Sequence, residues 1–497
     1  MTDKYVLSLD QGTTSTRAIL FDKNGNTVRK SQKELTQYFP SSGWVEHDPE
    51  EIFACATEVV RDVMEKANVS ATDVCAMGIT NQRETVIVWE KDSGKPIYNA
   101  IVWQCRRTSS LMEELKLCGK LEYVYSKTGL TLDAYFSASK IKWILDNVPL
   151  AREKALNGEL LAGTVDSYLL YRLTGGKVHA TDCTNASRTL LYNIHTLSWD
   201  DELCELFTVP KSILPTVYPS GYYYGDTEAE LFDGPIKICA LVGDQQSALF
   251  GQLCWEKGDA KNTYGTGCFL LSNTGDKPLT SNHGLLTTVC ATLDGEKAQY
   301  ALEGSVFIAG AGIQWLRDGL GLISSSAESE TLALSVKDSG GVVVVPAFVG
   351  LGAPYWDSDA TGLITGITRA TTRAHVVRAT LESIAMQTYD VLCAMENDLG
   401  EKITALKVDG GASANRFLMQ FQSDVLDAKI IRPAEVETTA LGASFLAGLT
   451  CGYWKDRNEL RKQVSSGSKT FTPTISTDKR ASIISNWQRA IQKTLKN

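Results

Sequence analysis

The sequence predicts an α/β fold made of two similar halves. Short apolar runs that suit strands alternate with segments whose apolar residues recur at helical spacing, which is the pattern of α/β proteins. Two segments also open alike, because residues 5–15 and residues 259–271 both combine an apolar run with a polar turn rich in Gly and Thr. A length of 497 residues suits two to four domains. We therefore expect a weak internal duplication, with one copy in each half.

Local signals justify the elements of the first half. After the strand at residues 5–9, a second apolar run at residues 18–21 leads to Asn24-Gly25, and Asn-Gly between apolar runs predicts a hairpin. Next comes a helix start, with Asp48 as N-cap before a proline and Glu51 as the capping-box residue.

The second half carries matching signals. Residues 375–399 predict a long amphipathic helix, and residues 342–346 predict a buried strand. The short serine- and glycine-rich stretch at residues 465–468 is the one segment typical of a linker.

The composition excludes several classes of protein. Lys and Arg total 49 against 58 Asp and Glu, so the net charge of −9 gives no basic surface for nucleic acid or anionic lipid. No segment approaches the length of a membrane span or a signal peptide, so we expect a cytoplasmic protein without a membrane segment. Twelve scattered cysteines and five histidines show no metal-ligand spacing, and free core thiols are expected.

A phosphate-binding turn is the first chemical signal. The sequence contains no P-loop motif, no dinucleotide fingerprint and no protein-kinase motif pair. In residues 10–15, DQGTTS, Gly12 permits a tight turn whose amides and hydroxyls suit phosphate oxygens, and Asp10 can hold Mg²⁺ through water. Taken alone, such a turn is more often a plain hairpin.

Three such turns in order form a more specific set. Residues 264–267 (YGTG) and residues 408–415 (VDGGASAN) follow residues 10–15, and together they resemble the phosphate-1, phosphate-2 and adenosine motifs of the actin, Hsp70 and sugar kinase superfamily. Within it, residues 135–147 and residues 362–382 are similar to both signatures of the FGGY carbohydrate kinases. The resemblance implies two ribonuclease H-like, actin-like ATPase domains, at residues 1–250 and 251–497, with ATP in a hinged cleft.

Four further stretches narrow the expected substrate. Residues 78–85, 102–108, 182–188 and 243–248 are similar to the FGGY members that phosphorylate glycerol. The resemblance implies phosphoryl transfer from ATP with Mg²⁺ to give sn-glycerol 3-phosphate, in a homodimer or homotetramer. It assigns acceptor binding to Arg83, Glu84, Trp103, Tyr135, Asp244, Gln245 and Phe269. It assigns the nucleotide to Thr13, Thr14, Ser15, Arg17, Thr266, Gly310, Gln314, Gly411 and Asn415.

Asp244 is the candidate general base. It follows an apolar strand at residues 238–242 and precedes a helical segment, so its carboxylate is expected at the carboxyl end of a strand, where α/β sites collect. An aspartate here also suits a helix N-cap. Likewise, Arg83-Glu84 without its context reads as a surface ion pair, and Trp103 and Phe269 read as core aromatics.

Two other functions stay open. A different polyol or ketose kinase of the same family would prefer an acceptor such as xylulose. An actin-like or Hsp70-like ATPase would hydrolyse ATP without a small acceptor, so a saturable rise of ATP turnover with glycerol separates that class.

A departure from the family pattern concerns regulation. Some relatives are inhibited by fructose 1,6-bisphosphate through an arginine in the loop that corresponds here to residues 231–237, and others are activated at a histidine in a turn that reads Tyr-Tyr-Tyr-Gly at residues 222–225. Residues 231–237 contain no arginine and residues 222–225 contain no histidine. We therefore expect an enzyme that is insensitive to both controls.

Overall fold

The computed structural model describes residues 4–495 except Ser358, Val436, Ser465 and Ser466, so part of the linker-like stretch lies outside the described residues. The strands are β1 (Tyr5–Gln11), β2 (Ser15–Phe21), β3 (Thr27–Glu34), β4 (Glu46–His47), β5 (Val74–Asn81), β6 (Val86–Glu90), β7 (Ala100–Ile101), β8 (Leu160–Thr164), β9 (Ala180–Asp182), β10 (Tyr192–Asn193), β11 (Ser198–Trp199), β12 (Thr216–Tyr218), β13 (Gly225–Asp226), β14 (Lys237–Gly243), β15 (Ala260–Tyr264), β16 (Cys268–Gly275), β17 (Leu286–Val289), β18 (Tyr300–Val306), β19 (Val343–Val345), β20 (Leu363–Thr365), β21 (Ala405–Asp409), β22 (Lys429–Arg432) and β23 (Lys469–Phe471). The helices are α1 (Pro49–Ala67), α2 (Ser109–Leu117), α3 (Leu121–Thr128), α4 (Ser137–Asn147), α5 (Ala151–Leu156), α6 (Val165–Leu173), α7 (Cys183–Ala186), α8 (Asp201–Leu206), α9 (Asp244–Gly251), α10 (Gly310–Gln314), α11 (Glu328–Leu334), α12 (Arg373–Leu399), α13 (Arg416–Leu426), α14 (Thr438–Thr450), α15 (Arg457–Val464) and α16 (Thr477–Thr494).

Two large sheets share one topology. The first has the order β3-β2-β1-β5-β14-β13. The second, in the same direction, has the order β17-β18-β16-β15-β21-β22-β23, in which β15 occupies the place of β1. In the first, β1 pairs antiparallel with β2 and parallel with β5. In the second, β15 pairs antiparallel with β16 and parallel with β21. The predicted α/β fold with two similar halves is confirmed.

Parallel pairing brings the site candidates to common edges. Strands β1, β5 and β14 run parallel, so the segments that follow Gln11, Asn81 and Gly243 emerge at one edge of the first sheet. In the second sheet β15 and β21 run parallel, so the turns after Tyr264 and Asp409 also share an edge. Ligands of α/β proteins bind at such carboxyl ends.

The start of α1 differs in one detail from its prediction. Asp48 is the N-cap and accepts a hydrogen bond from the amide of Glu50, with Pro49 at the first helical position, as expected. The capping-box role of Glu51 is wrong. Its Oε1 instead accepts hydrogen bonds from the amide and the hydroxyl of Thr36, at 3.1 Å and 2.8 Å, because β3 ends beside the helix and offers those donors.

Helices cover both faces of the first sheet. α1 and α6 bury one face, and α9 and α14 bury the other, where Val6 and Ile19 pack against Phe445. The approach of α9 and α14 is so close that a Cβ at Gly442 would lie 1.8 Å from the backbone oxygen of Ser247. Helix α14 therefore packs on the first sheet although it lies between β22 and β23 of the second sheet in sequence.

The second sheet carries its core on the side of α12 and α13. Leu381, Leu406 and Leu418 belong to that core. The predicted helix at residues 375–399 is confirmed as α12, and the predicted strand at residues 342–346 as β19. Among the described helices, none combines the length and apolarity needed to cross a bilayer.

Candidate active site

The turn between β1 and β2 lies at the edge where the first sheet gathers its functional groups. The amide of Gly12 donates to the backbone oxygen of Ser15 at 3.0 Å, which closes the turn and leaves Thr14 exposed. Ser15 Oγ accepts a hydrogen bond of 3.1 Å from Gln32. Thr13 Oγ1 accepts one of 2.9 Å from Trp103. The turn thus carries three neighbouring hydroxyls, those of Thr13, Thr14 and Ser15, and Thr14 is exposed.

Asp10 lies beneath this turn among other charges. Only 7% of it is exposed, and Arg17 Nη1 lies 3.8 Å from its carboxylate. The pKa of Asp10 is raised to about 6, chiefly by burial; Arg17 opposes that rise, and the carboxylates of Asp244 and Glu437 add to it. Arg17 itself donates to Glu437 at 2.8 Å, which joins the first sheet to the start of α14.

Arg83 and Glu84 follow the end of β5 and are both buried. Glu84 adopts a left-handed backbone conformation with φ of 61°. Its backbone oxygen accepts hydrogen bonds of 3.1 Å from Lys140 Nζ and from Ser137 Oγ, which hold that conformation. Lys140 Nζ also donates to the backbone oxygen of Tyr135. The surface-pair reading of Arg83-Glu84 therefore does not describe these side chains.

A glutamate from the second sheet pairs with Arg83. Glu303, on β18, accepts two hydrogen bonds from Arg83, at 2.7 Å and 2.9 Å. Arg188 links the same glutamate to Glu84, with contacts of 3.0 Å and 2.6 Å. Burial raises the pKa of Glu303, but Arg188 and Arg83 outweigh it and lower that pKa to about 2. Glu303 is thus a carboxylate that stays ionised.

Asp244 is the first residue of α9, directly after β14. Its Oδ1 lies 3.2 Å from Arg83 Nε and accepts a hydrogen bond of 2.7 Å from the amide of Gln245. About a third of its side chain, 31%, stays exposed, so a ligand has access to it. Burial raises the pKa of Asp244, whereas Arg83 and Lys261 lower it. The N-cap of α9 is Gly243 and not Asp244, although Asp244 accepts an amide hydrogen bond in the first turn.

Gln245 points toward the second sheet. Its Oε1 accepts a hydrogen bond of 2.6 Å from Lys261 Nζ, on β15. Three aromatic side chains lie near each other beside this region: the ring centroid of Trp103 is 5.6 Å from that of Tyr135 and 6.4 Å from that of Phe269. Burial and the charge of Glu84 raise the pKa of Tyr135, so its hydroxyl stays protonated. Trp103, Tyr135 and Phe269 are each partly exposed, as the walls of a pocket must be.

The predicted nucleotide residues of the second half lie at two turns. Thr266 is exposed in the hairpin between β15 and β16, and its backbone oxygen accepts from the amide of Ala309 at 2.9 Å. Gly310 starts α10 against this hairpin, since a Cβ there would lie 2.6 Å from the backbone oxygen of Gly265. Gln314, at the end of α10, is exposed.

Gly411 and Asn415 follow β21. Gly411 faces open space, with no atom within 4 Å of the position of a Cβ. Asn415 is the N-cap of α13, where its side-chain oxygen accepts a hydrogen bond of 2.9 Å from the amide of Leu418. Its side-chain nitrogen lies 3.4 Å from Ser329 Oγ.

Comparison with known families agrees with this architecture. Residues 5–251 match the N-terminal domain of the FGGY family of carbohydrate kinases, and residues 260–451 match the C-terminal domain of that family. The chain belongs to the FGGY family of carbohydrate kinases. Its two matched segments include every predicted site residue.

Individual relatives of this FGGY kinase are similar over almost their whole length. Glycerol kinase of Carboxydothermus hydrogenoformans is 58% identical, over 99% of this chain and 98% of the relative. Glycerol kinase 2 of Thermotoga maritima is 57% identical over 99% of both chains. The crystal structure of Plasmodium falciparum glycerol kinase with ADP is 38% identical, with a TM-score of 0.93, over 99% of this chain and 98% of that one. A ligand-bound xylulose kinase from Lactobacillus acidophilus, at 24% identity and a TM-score of 0.86, shares the fold.

Sequence reasoning about this FGGY kinase missed three charged residues of the site: Arg188, Lys261 and Glu303. Arg188 is the last residue of the stretch 182–188, one of the four on which the expected substrate rests, but the resemblance assigns no role to it. Glu303 and Lys261 are charged residues within short strands and are both completely buried. For Glu303, a charge inside a largely apolar strand was the available signal, since such groups are rarely buried without a partner.

Proposed function

We propose that this protein transfers the γ-phosphoryl group of ATP to a terminal hydroxyl of glycerol, giving sn-glycerol 3-phosphate and ADP. The observation that carries the proposal is the partly exposed Asp244 carboxylate, 3.2 Å from Arg83 and at the same sheet edge as the turn at residues 12–14. Glycerol kinases that are 55–58% identical over nearly the whole chain support glycerol as the acceptor.

Asp244 acts as the general base in this proposal. Phosphoryl transfer needs a group that accepts the proton of the attacking hydroxyl while the reactants are held in line. Arg83, Glu84, Tyr135 and Gln245 supply donors and acceptors for the hydroxyls of the acceptor. Trp103 and Phe269 cover its carbon edge, as small-molecule sites combine apolar walls with a few polar groups.

The nucleotide lies between the turns of the two sheets. Thr13, Thr14, Ser15 and Arg17 face the β- and γ-phosphates from the first sheet, and Thr266 faces them from the second. Gly310, Gln314, Gly411 and Asn415 surround the adenosine. Gly411, with open space at its α-carbon, leaves the room that a ring or ribose needs.

Asp10 suits Mg²⁺ held through water. Its carboxylate is buried near Asp244 and Glu437, and that concentration of negative charge favours a divalent cation. Among the described residues, no group of three or more His, Cys, Asp or Glu side chains is close enough to ligate a metal directly. The ion, when bound with ATP, would neutralise charge that develops on the phosphate oxygens.

A coupled assay of ADP release tests the proposal. Glycerol, xylulose, gluconate and no acceptor are compared at saturating Mg-ATP, and the phosphorylated product is identified by mass spectrometry. We expect a saturable rise in turnover with glycerol and a product of the mass of glycerol phosphate. A preference for xylulose, or ATP turnover independent of any acceptor, would overturn the proposal. We also propose that the protein forms a homodimer or homotetramer, as the family resemblance implies. Light scattering tests this oligomeric state.

A further inference from the structure

Four charged side chains form a closed cluster behind the proposed acceptor pocket. We call Arg83, Glu84, Arg188 and Glu303 the buried charge cluster. Each is at most 2% exposed, and they comprise two positive and two negative groups. Glu303 contacts both arginines, and Glu84 contacts Arg188 at 2.6 Å and Arg83 at 3.8 Å.

Arg188 bridges the two carboxylates with different nitrogens. Its Nε donates to Glu84 and its Nη2 donates to Glu303. Its guanidinium also lies 5.6 Å from the ring centroid of Tyr135 and 5.2 Å from that of Phe136. A planar fork that serves two partners at once is a property of arginine that lysine lacks.

One donor of Arg188 is left over. Its Nη1 is buried and has no hydrogen-bond partner among the described residues. A buried donor without a partner is costly, because it has lost its hydration. Within the cluster, Arg188 is therefore paired through Nε and Nη2 alone.

Glu303 fixes the orientation of the Arg83 guanidinium. Both Nη atoms of Arg83 are held by Glu303, so Nε is the nitrogen left to face Asp244, at 3.2 Å. Gln246 restrains the same guanidinium by accepting from Nη1 at 3.1 Å. Because Glu303 belongs to the second sheet and Arg83 follows β5 of the first, the orientation of Arg83 depends on both halves.

We propose that Arg188 and Glu303 are positioning residues that set the acceptor affinity. Glu303 orients the guanidinium of Arg83 toward Asp244, and Arg188 holds the carboxylate of Glu84 in the orientation that meets an acceptor hydroxyl. This inference rests on the proposed function, since it takes Arg83 and Glu84 as the acceptor-binding groups. Burial of such ion pairs seldom adds net stability over apolar packing, so a role in binding accounts better for the four charges.

Two conservative variants test the role. Arg188→Lys keeps the positive charge but cannot bridge both carboxylates, and Glu303→Gln keeps the shape but removes the charge that holds Arg83. We expect each to raise the KM and the Kd for glycerol roughly tenfold to a hundredfold, the worth of a hydrogen bond to a charged group. The KM for ATP should stay at its wild-type value. Arg29→Lys, at an exposed arginine, is the matched control and should change nothing.

A double-variant cycle separates positioning from a structural role. If Arg188 acts through Glu84, Arg188→Lys should raise the Kd for glycerol much less in a Glu84→Gln background than in the wild type. Additive effects in the cycle would overturn the inference. So would a joint loss of glycerol and ATP affinity with a lower unfolding midpoint, because that result would assign the cluster to folding.

The readouts keep this inference apart from the proposed function. The Kd for glycerol is measured by intrinsic tryptophan fluorescence, for which Trp103 is a reporter, and needs no turnover. Wild-type protein that binds glycerol without phosphorylating it would contradict the proposed function and leave the inference standing. Wild-type turnover together with normal Kd values in both single variants would contradict the inference alone. Wild-type protein that does not bind glycerol would contradict both.

Discussion

The indole Nε1 of Trp103 donates a hydrogen bond of 2.9 Å to the hydroxyl of Thr13. This contact joins a wall of the proposed acceptor pocket to the proposed phosphate-binding turn. The same ring stands edge-on to Tyr135, and the hydroxyl of Thr85 accepts a hydrogen bond of 3.1 Å from the backbone amide of Trp103. Acceptor and phosphate turn are therefore held in one connected arrangement.

Trp103→Phe should separate the two functions of that ring. The variant keeps an apolar wall but loses the donor to Thr13, so we expect kcat with glycerol to fall roughly twofold to tenfold, in line with one lost hydrogen bond. The KM for glycerol should change less than kcat. Steady-state kinetics with both substrates varied provides the measurement, and a fall in glycerol affinity with unchanged kcat would contradict this role.

Asp244→Asn should abolish most of the chemistry and little of the binding. The amide cannot accept the proton, so we expect turnover to fall roughly 10² to 10⁴-fold, the usual worth of a positioned general base. Glycerol and ATP affinities should stay near their wild-type values. Asp92→Asn, at an exposed aspartate, is the control. If Asp244→Asn kept more than half of the wild-type turnover, Asp244 would not be the general base.

We expect Glu437 to compete with ATP for Arg17. Its carboxylate holds Arg17 Nη1 at 2.8 Å and adds negative charge near Asp10. We expect Glu437→Gln to lower the KM for ATP roughly twofold to fivefold, because a partly exposed ion pair contributes no more than about 1 kcal/mol. Glu58→Gln breaks the exposed pair with Lys33 and should leave the KM for ATP unchanged. A higher KM for ATP in Glu437→Gln would show that the carboxylate assists nucleotide binding.

His47 should make stability depend on pH. It is fully buried beside Gln82, and burial lowers its pKa from 6.5 to about 4 although Glu51 raises it. Between those values the unfolded chain binds a proton that the folded chain does not, so stability is full above pH 6.5 and falls as the pH drops toward 4. The loss is at most about 3 kcal/mol.

The measurement for His47 is the unfolding midpoint in urea at pH 7 and at pH 5. The decrease between the two should be smaller in His47→Gln than in the wild type, and His195→Gln, at an exposed histidine, should match the wild type. An identical decrease in all three proteins would contradict the role of His47.

Insensitivity to fructose 1,6-bisphosphate is a further expectation. The loop at residues 231–237 has no arginine of its own, but Arg61 of α1 approaches it and donates from Nε to the backbone oxygen of Leu231 at 2.7 Å. That contact engages the Nε of Arg61, and the loop has no arginine of its own, so we expect no inhibition at sub-millimolar effector in the coupled assay. Inhibition that disappears in Arg61→Ala would instead show that Arg61 of α1 binds the effector in place of a loop arginine.

The sequence predicts the parts of this protein that rest on local pattern. The turn at residues 12–14, the hairpin at Asn24-Gly25 and helix α12 follow from glycine placement and apolar spacing, and the structure contains all three. The same reasoning was wrong for Glu51, where a capping box was expected. Thr36 provides competing donors from the segment that follows β3, which no local pattern can show.

The charged partners of the site could not be predicted in this way. Arg83 and Glu303 are 220 residues apart and meet only because the two halves of the chain come together at the site. Local sequence around Tyr300–Val306 suggests a buried strand and gives no partner for its glutamate. Long-range pairing of this kind depends on the relative placement of the halves, which apolar periodicity does not encode.

Helix α14 belongs to the second half of the chain but covers the sheet of the first half, so neither half is expected to fold alone. A fragment that ends at residue 250 would lack this helix, and its sheet would present Val6, Ile19 and Ala240 to water. The remainder would carry an apolar helix whose close backbone contact, Gly442 on Ser247, had been cut away. Neither fragment is a transferable module, and exchange of a half between relatives requires that residues 438–450 travel with the N-terminal segment.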